Sequence, residues 1–212
     1  MRDTTGNIDN RDIDTGDIDT GAIDEVDVAR SREYALLSTL LARAPDQDLL
    51  ERLADLRGDA SPLGLAHAAV AEAARRTSVA DAQREYFDLF IGLGRGELLP
   101  YGSYYLTGFL LDRPLARLRQ DLVRLGIERA SGQAEPEDHA AILCEVMALL
   151  LSRRFPVAPV GEREVFERRL SPWIAWFFAD LVHAQAADVY RHVGALGRAF
   201  MSIETEAFAL SS

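Results

Sequence analysis

Apolar residues recur every three or four positions along most of the chain, which is the spacing of one buried face of an α-helix. In the first such stretch, Tyr34, Leu37, Leu40 and Leu41 share a face. The pattern predicts helices near 28–43, 45–57, 62–76, 78–90, 112–126, 135–154 and 161–170, one beginning at 171, and one near 186–209. No segment shows apolar and polar residues alternating with a period of two, so we expect no β-sheet. The predicted fold class is all-α, a single-domain bundle of about eight or nine helices.

Capping residues support several of these boundaries. Ser61 precedes a proline, a combination typical of the first helical position, and Ser78 has the same capping character. Asp112 stands before Arg113-Pro114 in the same way. Glu135-Pro136 predicts the start of the long helix, with acidic residues in its first turn where they favour the positive end of the helix dipole.

The first residues differ in composition from the rest. Residues 7–25 read NIDNRDIDTGDIDTGAIDE, in which Asp-Ile-Asp-Thr-Gly recurs with a period of five. Isolated isoleucines among aspartates bury too little area to offset chain entropy, so we expect a disordered acidic tail over 1–27 and a helical domain over 28–212. A calcium-binding repeat is the alternative, because Asp-x-Asp supplies oxygen ligands, but the closing glutamate and the glycine spacing of an EF-hand are missing.

Charge and composition exclude several classes of function. The net charge is −11, and residues 1–28 alone contribute −7, so nucleic acid is not expected as a partner and a basic peptide is a more natural one. All 23 basic residues are arginine, which excludes catalysis through a lysine Schiff base and a Walker A loop with its phosphate-binding lysine. We find no apolar run long enough to span a membrane and no secretory signal, and Cys144 is the only cysteine. These features predict a cytoplasmic protein without membrane insertion.

Three segments stand out in order along the chain. They read EYFDLFIG at 85–92, LPYGSYY at 99–105 and EPEDHA at 135–140. In this order and spacing they resemble the TorD/DmsD family of chaperones for molybdenum-cofactor redox enzymes, whose patterns are roughly Y-x-x-L-F, P-[YW]-x-S and E-P-x-D-H. The likeness extends over about residues 28–209 and includes the aromatic SPWIAWF segment from 171. Family members often carry tryptophan near the first two motifs, where this chain has tyrosine or glycine.

The resemblance implies a non-enzymatic, cytoplasmic chaperone that binds the twin-arginine signal peptide of a molybdoenzyme precursor until its cofactor is inserted. The chaperone would be a monomer or a domain-swapped dimer, and the resemblance leaves the client enzyme open. We expect no cofactor, and no metal either, because the residues around His139 lack the second nitrogen or sulfur ligand of a tight zinc site. Guanine-nucleotide binding has been proposed in the family, but the GLGRG at 92–96 is no P-loop. Carried over by position, the signal-peptide site comprises Tyr86, Leu89, Phe90, Pro100, Tyr101, Ser103, Glu135, Asp138 and His139.

The same residues allow plainer interpretations. Tyr86, Leu89 and Phe90 lie on one helical stripe that fits a core as well as a groove. Asp138 and its neighbours fit a helix cap as well as a binding site for guanidinium groups, and both roles are compatible. A metal-dependent hydrolase centred on His139, with Glu135 or Asp138, is the alternative from a different class, although no second histidine stands at the spacing of a zinc motif. A helical scaffold or interaction protein without a peptide pocket is the third possibility.

Overall fold

A computed structural model describes residues 25–128, 134–152 and 161–210. The predicted disordered tail, apart from its last three residues, therefore lies outside the described residues. Within the described ranges the chain is helical, and its extended backbone forms only one isolated antiparallel bridge, between Tyr101 and His139. The predicted all-α fold class is confirmed. None of the described helices combines the length and the apolar character needed to cross a bilayer.

The described residues form ten α-helices. Two of them, α4 and α8, continue into wider π-type turns at Phe87–Ile91 and Phe166–Leu170. Nine of the ten correspond to predicted helices, and the short α5 was not predicted. The bounds are α1 Glu25–Ala42, α2 Gln47–Ala54, α3 Pro62–Arg76, α4 Val79–Tyr86, α5 Gly102–Thr107, α6 Arg113–Arg124, α7 Ala140–Leu151, α8 Glu162–Val165, α9 Ser171–His183 and α10 Val189–Leu210.

The three helix caps predicted at Ser61, Ser78 and Asp112 are confirmed, and each side chain caps the helix that directly follows it. The Ser61 hydroxyl accepts a hydrogen bond from the Gly64 amide at 3.0 Å, and the Ser78 hydroxyl accepts one from the Asp81 amide at 3.1 Å. The Asp112 carboxylate caps α6 by accepting from the Arg113 amide at 2.7 Å. Each bond satisfies an amide that a helix start leaves without an intrahelical partner.

Two predicted starts are wrong. α1 begins at Glu25, three residues before the expected Val28, so the first helix takes in the end of the predicted tail. α7 begins at Ala140 and not near Glu135, because the backbone of His139 is extended and paired with Tyr101. The acidic residues of this segment therefore precede the helix and do not occupy its first turn.

The core lies where α7, α9 and α10 meet α1 and α3. The largest side chains in it are fully buried aromatic rings, among them Tyr34, Trp173 and Phe178. α9 and α10 approach closely at Gly197, where a Cβ atom would lie within 2.5 Å of three ring atoms of Phe178. Cys144 on α7 is buried, and burial raises the pKa of its thiol to about 12, as expected for an inert thiol.

A buried ion pair joins the first and last described helices. Arg30 of α1 donates from Nε and from an η nitrogen to the two oxygens of Glu204 on α10, at 2.7 and 2.8 Å. The Tyr34 hydroxyl donates to the same carboxylate at 2.9 Å, and the Arg30 guanidinium lies 4.9 Å from the ring centre of Phe208. The Glu204 side chain has no exposed surface, so these contacts replace the water that it loses on folding.

Candidate signal-peptide site

Backbone hydrogen bonds join two of the three sequence motifs. The Gly102 amide donates to the Asp138 carbonyl at 2.9 Å, and the Ala140 amide donates to the Pro100 carbonyl at 2.8 Å. Between these two bonds, Tyr101 and His139 form the isolated bridge. The segments at 100–103 and 138–140 are therefore one structural unit, although more than thirty residues separate them in the chain.

Asp138 stabilises the start of α5. Its Oδ2 accepts a hydrogen bond from the Ser103 amide at 2.7 Å, so it supplies from a distant loop the cap that α5 lacks locally. Asp138 is 3% exposed and Ser103 is fully buried. Among the described residues, Oδ1 of Asp138 and the Ser103 hydroxyl have no hydrogen-bond partner. The carboxylate therefore points into the protein and not toward solvent.

His139 caps α7. Its Nδ1 accepts a hydrogen bond from the Ala141 amide at 3.1 Å, which requires that this nitrogen carry no proton. Burial lowers the pKa of His139 to about 4, although the charges of Glu135 and Asp138 act in the opposite direction. The imidazole is therefore neutral at pH 7, with its proton on Nε2. Because Nδ1 is engaged in the cap, the structure gives no support to a hydrolase centred on His139, and no group of three potential metal ligands occurs among the described residues.

Tyr101 and Glu135 form the accessible part of this unit. The Tyr101 hydroxyl donates to Oε2 of Glu135 at 2.5 Å, and the Tyr101 ring meets the His139 imidazole edge to face at 5.1 Å between centroids. Burial, followed by the hydrogen bond to Glu135, holds the pKa of Tyr101 well above its ordinary value. Tyr101 is half-buried and Glu135 is exposed. An apolar ring and a carboxylate therefore stand side by side at the surface.

The first motif adds an aromatic cluster to the site. Phe90 contacts Tyr86 and Tyr190 edge to face, at 5.1 and 5.4 Å between ring centroids. The Tyr86 hydroxyl donates to the Leu41 carbonyl at 3.2 Å. Burial, with a smaller contribution from the negative charge of Glu135, raises the pKa of Tyr86 to about 12. The charge of Glu135 therefore acts on Tyr86 of the first motif as well as on Tyr101 of the second.

The predicted site residues thus separate into two groups. Glu135 is exposed, and Tyr101 and Phe90 are half-buried, so these three are accessible to a ligand. The others lie inside the protein and hold the site in place. These buried residues are Tyr86, Leu89, Pro100, Ser103, Asp138 and His139.

Two glutamates, one that opens the first motif and one between the first and second motifs, have roles that the sequence did not reveal. Glu85 is 7% exposed and accepts hydrogen bonds from the backbone amides of Asp188, Val189 and Tyr190, at 2.7 to 3.1 Å. Glu97 does the same for the two amides at 185 and 186, at 2.6 and 2.9 Å. Together they fix the start of α10 against the motif segments. The acceptors and the amides lie about ninety or more residues apart, and no local pattern signals such a pairing.

Comparison with known proteins supports the resemblance. The family model described as nitrate reductase delta subunit matches residues 56–179. The chaperone protein TorD of Vibrio cholerae serotype O1 (strain ATCC 39541) is 28% identical over 134 residues, and the match covers 57% of this chain and 61% of that protein. The matched part is therefore less than two thirds of the Vibrio protein. TorD of Shewanella loihica is 24% identical over 202 residues, covering 84% of this chain and 92% of that protein.

A solved structure has the same fold. It is described as a redox enzyme maturation protein from Archaeoglobus fulgidus and superposes with a TM-score of 0.52 at 21% sequence identity. The superposition covers 82% of this chain and 93% of that one. At this level of identity the likeness concerns the fold alone.

Proposed function

Because this chain belongs to the nitrate reductase delta subunit family, the family of the TorD chaperones, we propose that it is a maturation chaperone for a redox enzyme precursor. Its ligand is the twin-arginine signal peptide of a molybdoenzyme, which it holds in the cytoplasm until the cofactor is inserted. The protein acts by binding and not by catalysis. The observation that carries the proposal is the pairing of the second and third motifs, which places the Tyr101 ring beside the exposed carboxylate of Glu135.

The chemistry of this surface suits a peptide with adjacent arginines and apolar residues. The Glu135 carboxylate binds a guanidinium group through charge-assisted, often bidentate hydrogen bonds. The rings of Tyr101 and Phe90 offer apolar and aromatic contact beside it. The arginine that binds would exchange for the Tyr101 hydroxyl, which donates a hydrogen bond to Oε2 of Glu135.

The buried residues of the motifs have a supporting role in this proposal. Asp138 and His139 each cap a helix, and Pro100 and Ala140 share the backbone hydrogen bond that keeps the two loops paired. These contacts fix the position of Tyr101 relative to Glu135. The supporting role revises the expectation that Asp138 and His139 themselves contact the arginines.

Calorimetric titration tests the proposal. The ligand is a twin-arginine peptide with its apolar stretch, and a twin-lysine peptide of the same length is the control. We expect Glu135→Gln to weaken arginine-peptide binding about tenfold or more, since hydrogen bonds to charged groups contribute about 1.5–3 kcal/mol and 1.4 kcal/mol is one decade. The preference for arginine over lysine should narrow in the same variant.

A matched control is Glu206→Gln. Glu206 is exposed on α10, sixteen residues beyond Tyr190, or about 24 Å along the helix. The substitution Glu206→Gln should leave the affinities for the arginine peptide and for the lysine peptide unchanged. Equal binding by the two variants would place the arginine site elsewhere, and a wild-type protein that binds neither peptide would refute the chaperone proposal.

A further inference from the structure

Exposed apolar side chains are concentrated in the short segment between α5 and α6. Phe109 is 71% exposed and Leu111 is 66% exposed, and Leu106 and Leu110 are exposed as well. A fifth large apolar side chain, Trp176 of α9, is 61% exposed. Single exposed apolar residues are common on proteins, whereas a contiguous group of them indicates an interaction surface.

Trp176 belongs to the same surface as this segment. It lies one helical turn from Pro172 and one turn from Asp180, on a single face of α9. Leu106 at the end of α5 lines a small cavity together with Pro172. The Tyr105 hydroxyl donates to the Asp180 carboxylate at 2.9 Å. α5 therefore contacts α9 on both sides of Trp176, and the exposed apolar side chains form one surface, the apolar patch, which comprises Leu106, Phe109, Leu110, Leu111 and Trp176.

The backbone of the segment has a defined turn. Gly108 caps the C-terminus of α5 with a φ of 81°, in the left-handed region that glycine adopts readily. The Thr107 hydroxyl donates to the Ser103 carbonyl at 2.9 Å and accepts from the Phe109 amide at 3.3 Å. Leu111 has a φ of 61°, a conformation that leucine rarely adopts. The turn therefore presents its apolar side chains outward in a fixed conformation.

Arginines border the apolar patch. Arg113 lies two residues after Leu111, and Arg117 stands one turn further along α6. Arg117 also lines the small cavity that Leu106 lines. Neither Arg113 nor Arg117 makes an ion pair with another described residue. Two exposed guanidinium groups beside the patch can therefore bind an anionic partner.

Two carboxylates also lie near the patch, and both are engaged in hydrogen bonds. The Asp112 carboxylate accepts from the Arg113 amide at 2.7 Å, and the Asp180 carboxylate accepts from the Tyr105 hydroxyl. The surface around the patch thus differs from the chain as a whole, whose net charge is −11. Because the Debye length is about 8 Å at physiological ionic strength, the charges nearest the patch dominate its electrostatic contacts.

This combination of side chains suits the boundary between lipid headgroups and acyl chains. Aromatic and aliphatic side chains beside arginines are typical of proteins that lie on a membrane surface, and tryptophan is enriched at that depth. We propose that the apolar patch docks the protein reversibly, as a peripheral contact, on a membrane surface that contains anionic lipids. Phe109 and Trp176 enter the headgroup boundary, and Arg113 and Arg117 bind lipid phosphates. The proposal goes beyond the proposed function, because none of the predicted signal-peptide residues belongs to the patch.

Sedimentation of the full chain with lipid vesicles tests the proposal. One vesicle is phosphatidylcholine alone, and the other contains phosphatidylcholine and phosphatidylglycerol in equal parts. We expect about tenfold stronger partitioning into the anionic vesicle at low salt, since each arginine near the surface contributes about fivefold. Arg113→Gln should remove about fivefold on the anionic vesicle alone, and Arg84→Gln, at an exposed position of α4, is its control.

An apolar substitution tests the other half of the contact. Phe109→Ser should weaken partitioning into both vesicles about tenfold, because a buried aromatic ring is lost from the lipid boundary. Leu65→Ser, at a 60% exposed position of α3, is the matched control and should change neither. Circular dichroism should show the wild-type helical content in both variants, since both positions are exposed.

The two tryptophans of the chain supply a local readout. Trp173 is 1% exposed and reports the core, whereas Trp176 is at the surface. Docking of the patch should shift the emission of Trp176 to shorter wavelength, and Trp176→Phe should abolish the shift.

The outcomes decide the assignment. If wild type binds neither vesicle at low salt, or if Phe109→Ser binds as tightly as wild type, the patch is not a lipid contact. Equal binding to the two vesicles would overturn the role of the arginines. A wild-type dimer that Phe109→Ser dissociates, without vesicle binding, would assign the patch to a second copy of the chain. Signal-peptide affinity should be unchanged in Phe109→Ser, so failure of the lipid contact leaves the proposed function standing.

Discussion

His139 should make this protein sensitive to acid in a way that can be isolated experimentally. In the folded chain the imidazole is 6% exposed and its Nδ1 accepts the hydrogen bond that caps α7. A proton on Nδ1 would remove that acceptor and place a positive charge in the interior. The folded state therefore favours the neutral form, and burial lowers the pKa of the group from 6.5 to about 4.

The size of the effect follows from this difference in pKa. In the unfolded chain the imidazole returns to its ordinary value of about 6.5, so as the pH falls the unfolded state binds the proton first. The contribution of neutral His139 to the unfolding free energy is complete above pH 6.5, decreases as the pH falls from 6.5 to 4, and is absent below about pH 4. The whole difference corresponds to about 3 kcal/mol, at 1.36 kcal/mol for each pKa unit, and about 2 kcal/mol of it is lost by pH 5.

Urea unfolding followed by circular dichroism measures this contribution. His139→Asn is the matched variant, because an asparagine oxygen also caps a helix but does not titrate. Between pH 7.5 and pH 5 the unfolding free energy of wild type should fall by about 2 kcal/mol more than that of the variant. His67 acts in the opposite sense, since its hydrogen bond to Glu33 raises its pKa, but both proteins contain this pair and it cancels in the comparison.

NMR gives the independent check. The ring signal of His139 should keep its neutral position from pH 8 down to about pH 5. A His139 signal that titrates near pH 6.5, or equal acid sensitivity in wild type and His139→Asn, would refute both the burial argument and the role of Nδ1 in the cap.

Four other expectations can be tested with the same preparations. Asp138→Ala should lower the unfolding free energy by about 1–3 kcal/mol and Asp138→Asn by less, because the carboxylate caps α5; unchanged stability with a tenfold loss of peptide affinity would mean instead that Asp138 contacts the ligand. Glu204→Ala should lower the unfolding free energy in urea by about 3 kcal/mol, the low end for a broken buried ion pair, because Arg30 then keeps only its ion pair with Asp27; Glu206→Ala should leave it nearly unchanged, and equal losses in the two variants would contradict the buried pair. Deleting residues 1–24 should leave the Tm within a few degrees, as scanning calorimetry would show, and a loss of cooperative unfolding would contradict the predicted tail. Elemental analysis of purified protein should find no stoichiometric zinc, and one zinc per chain would reopen the hydrolase interpretation.

Most of the bundle could be predicted from sequence because its signals are local. Apolar spacing and caps such as Ser61 and Ser78 depend only on residues within one or two turns of the helix that they describe. α5 escaped prediction because its residues include two tyrosines and a threonine, which are weak helix formers, and its capping carboxylate belongs to Asp138, 35 residues away. The start of α7 was misplaced because acids and a proline at 135–138 are typical of a first helical turn, whereas this segment forms a turn that leads into the extended residue His139, which is paired with Tyr101.

The candidate site shows the same division. The motifs identified Tyr101, Phe90 and Glu135, but not that Glu135 would be the exposed carboxylate while Asp138 is buried. That distinction depends on the pairing of the loops at 100–103 and 138–140, in which the Asp138 carboxylate accepts from the Ser103 amide. The pattern of a single sequence does not predict such a long-range contact. The cap that Glu85 supplies to α10 was missed for the same reason, since the amides that it accepts from lie more than a hundred residues later.

The ion pair between Arg30 and Glu204 has a consequence for biosynthesis. The two residues are 174 positions apart, so at about 5–20 residues per second the ribosome needs roughly 10 to 35 s after making Arg30 before its partner exists. During that time the apolar face of α1 has been synthesised while α10 has not. Nascent chains on one polysome hold such faces at high local concentration, where exchange of α10 between neighbours competes with closure of each chain on itself. The nascent chain thus passes through an interval in which this apolar face is uncovered, and the pace of translation sets how long that interval lasts.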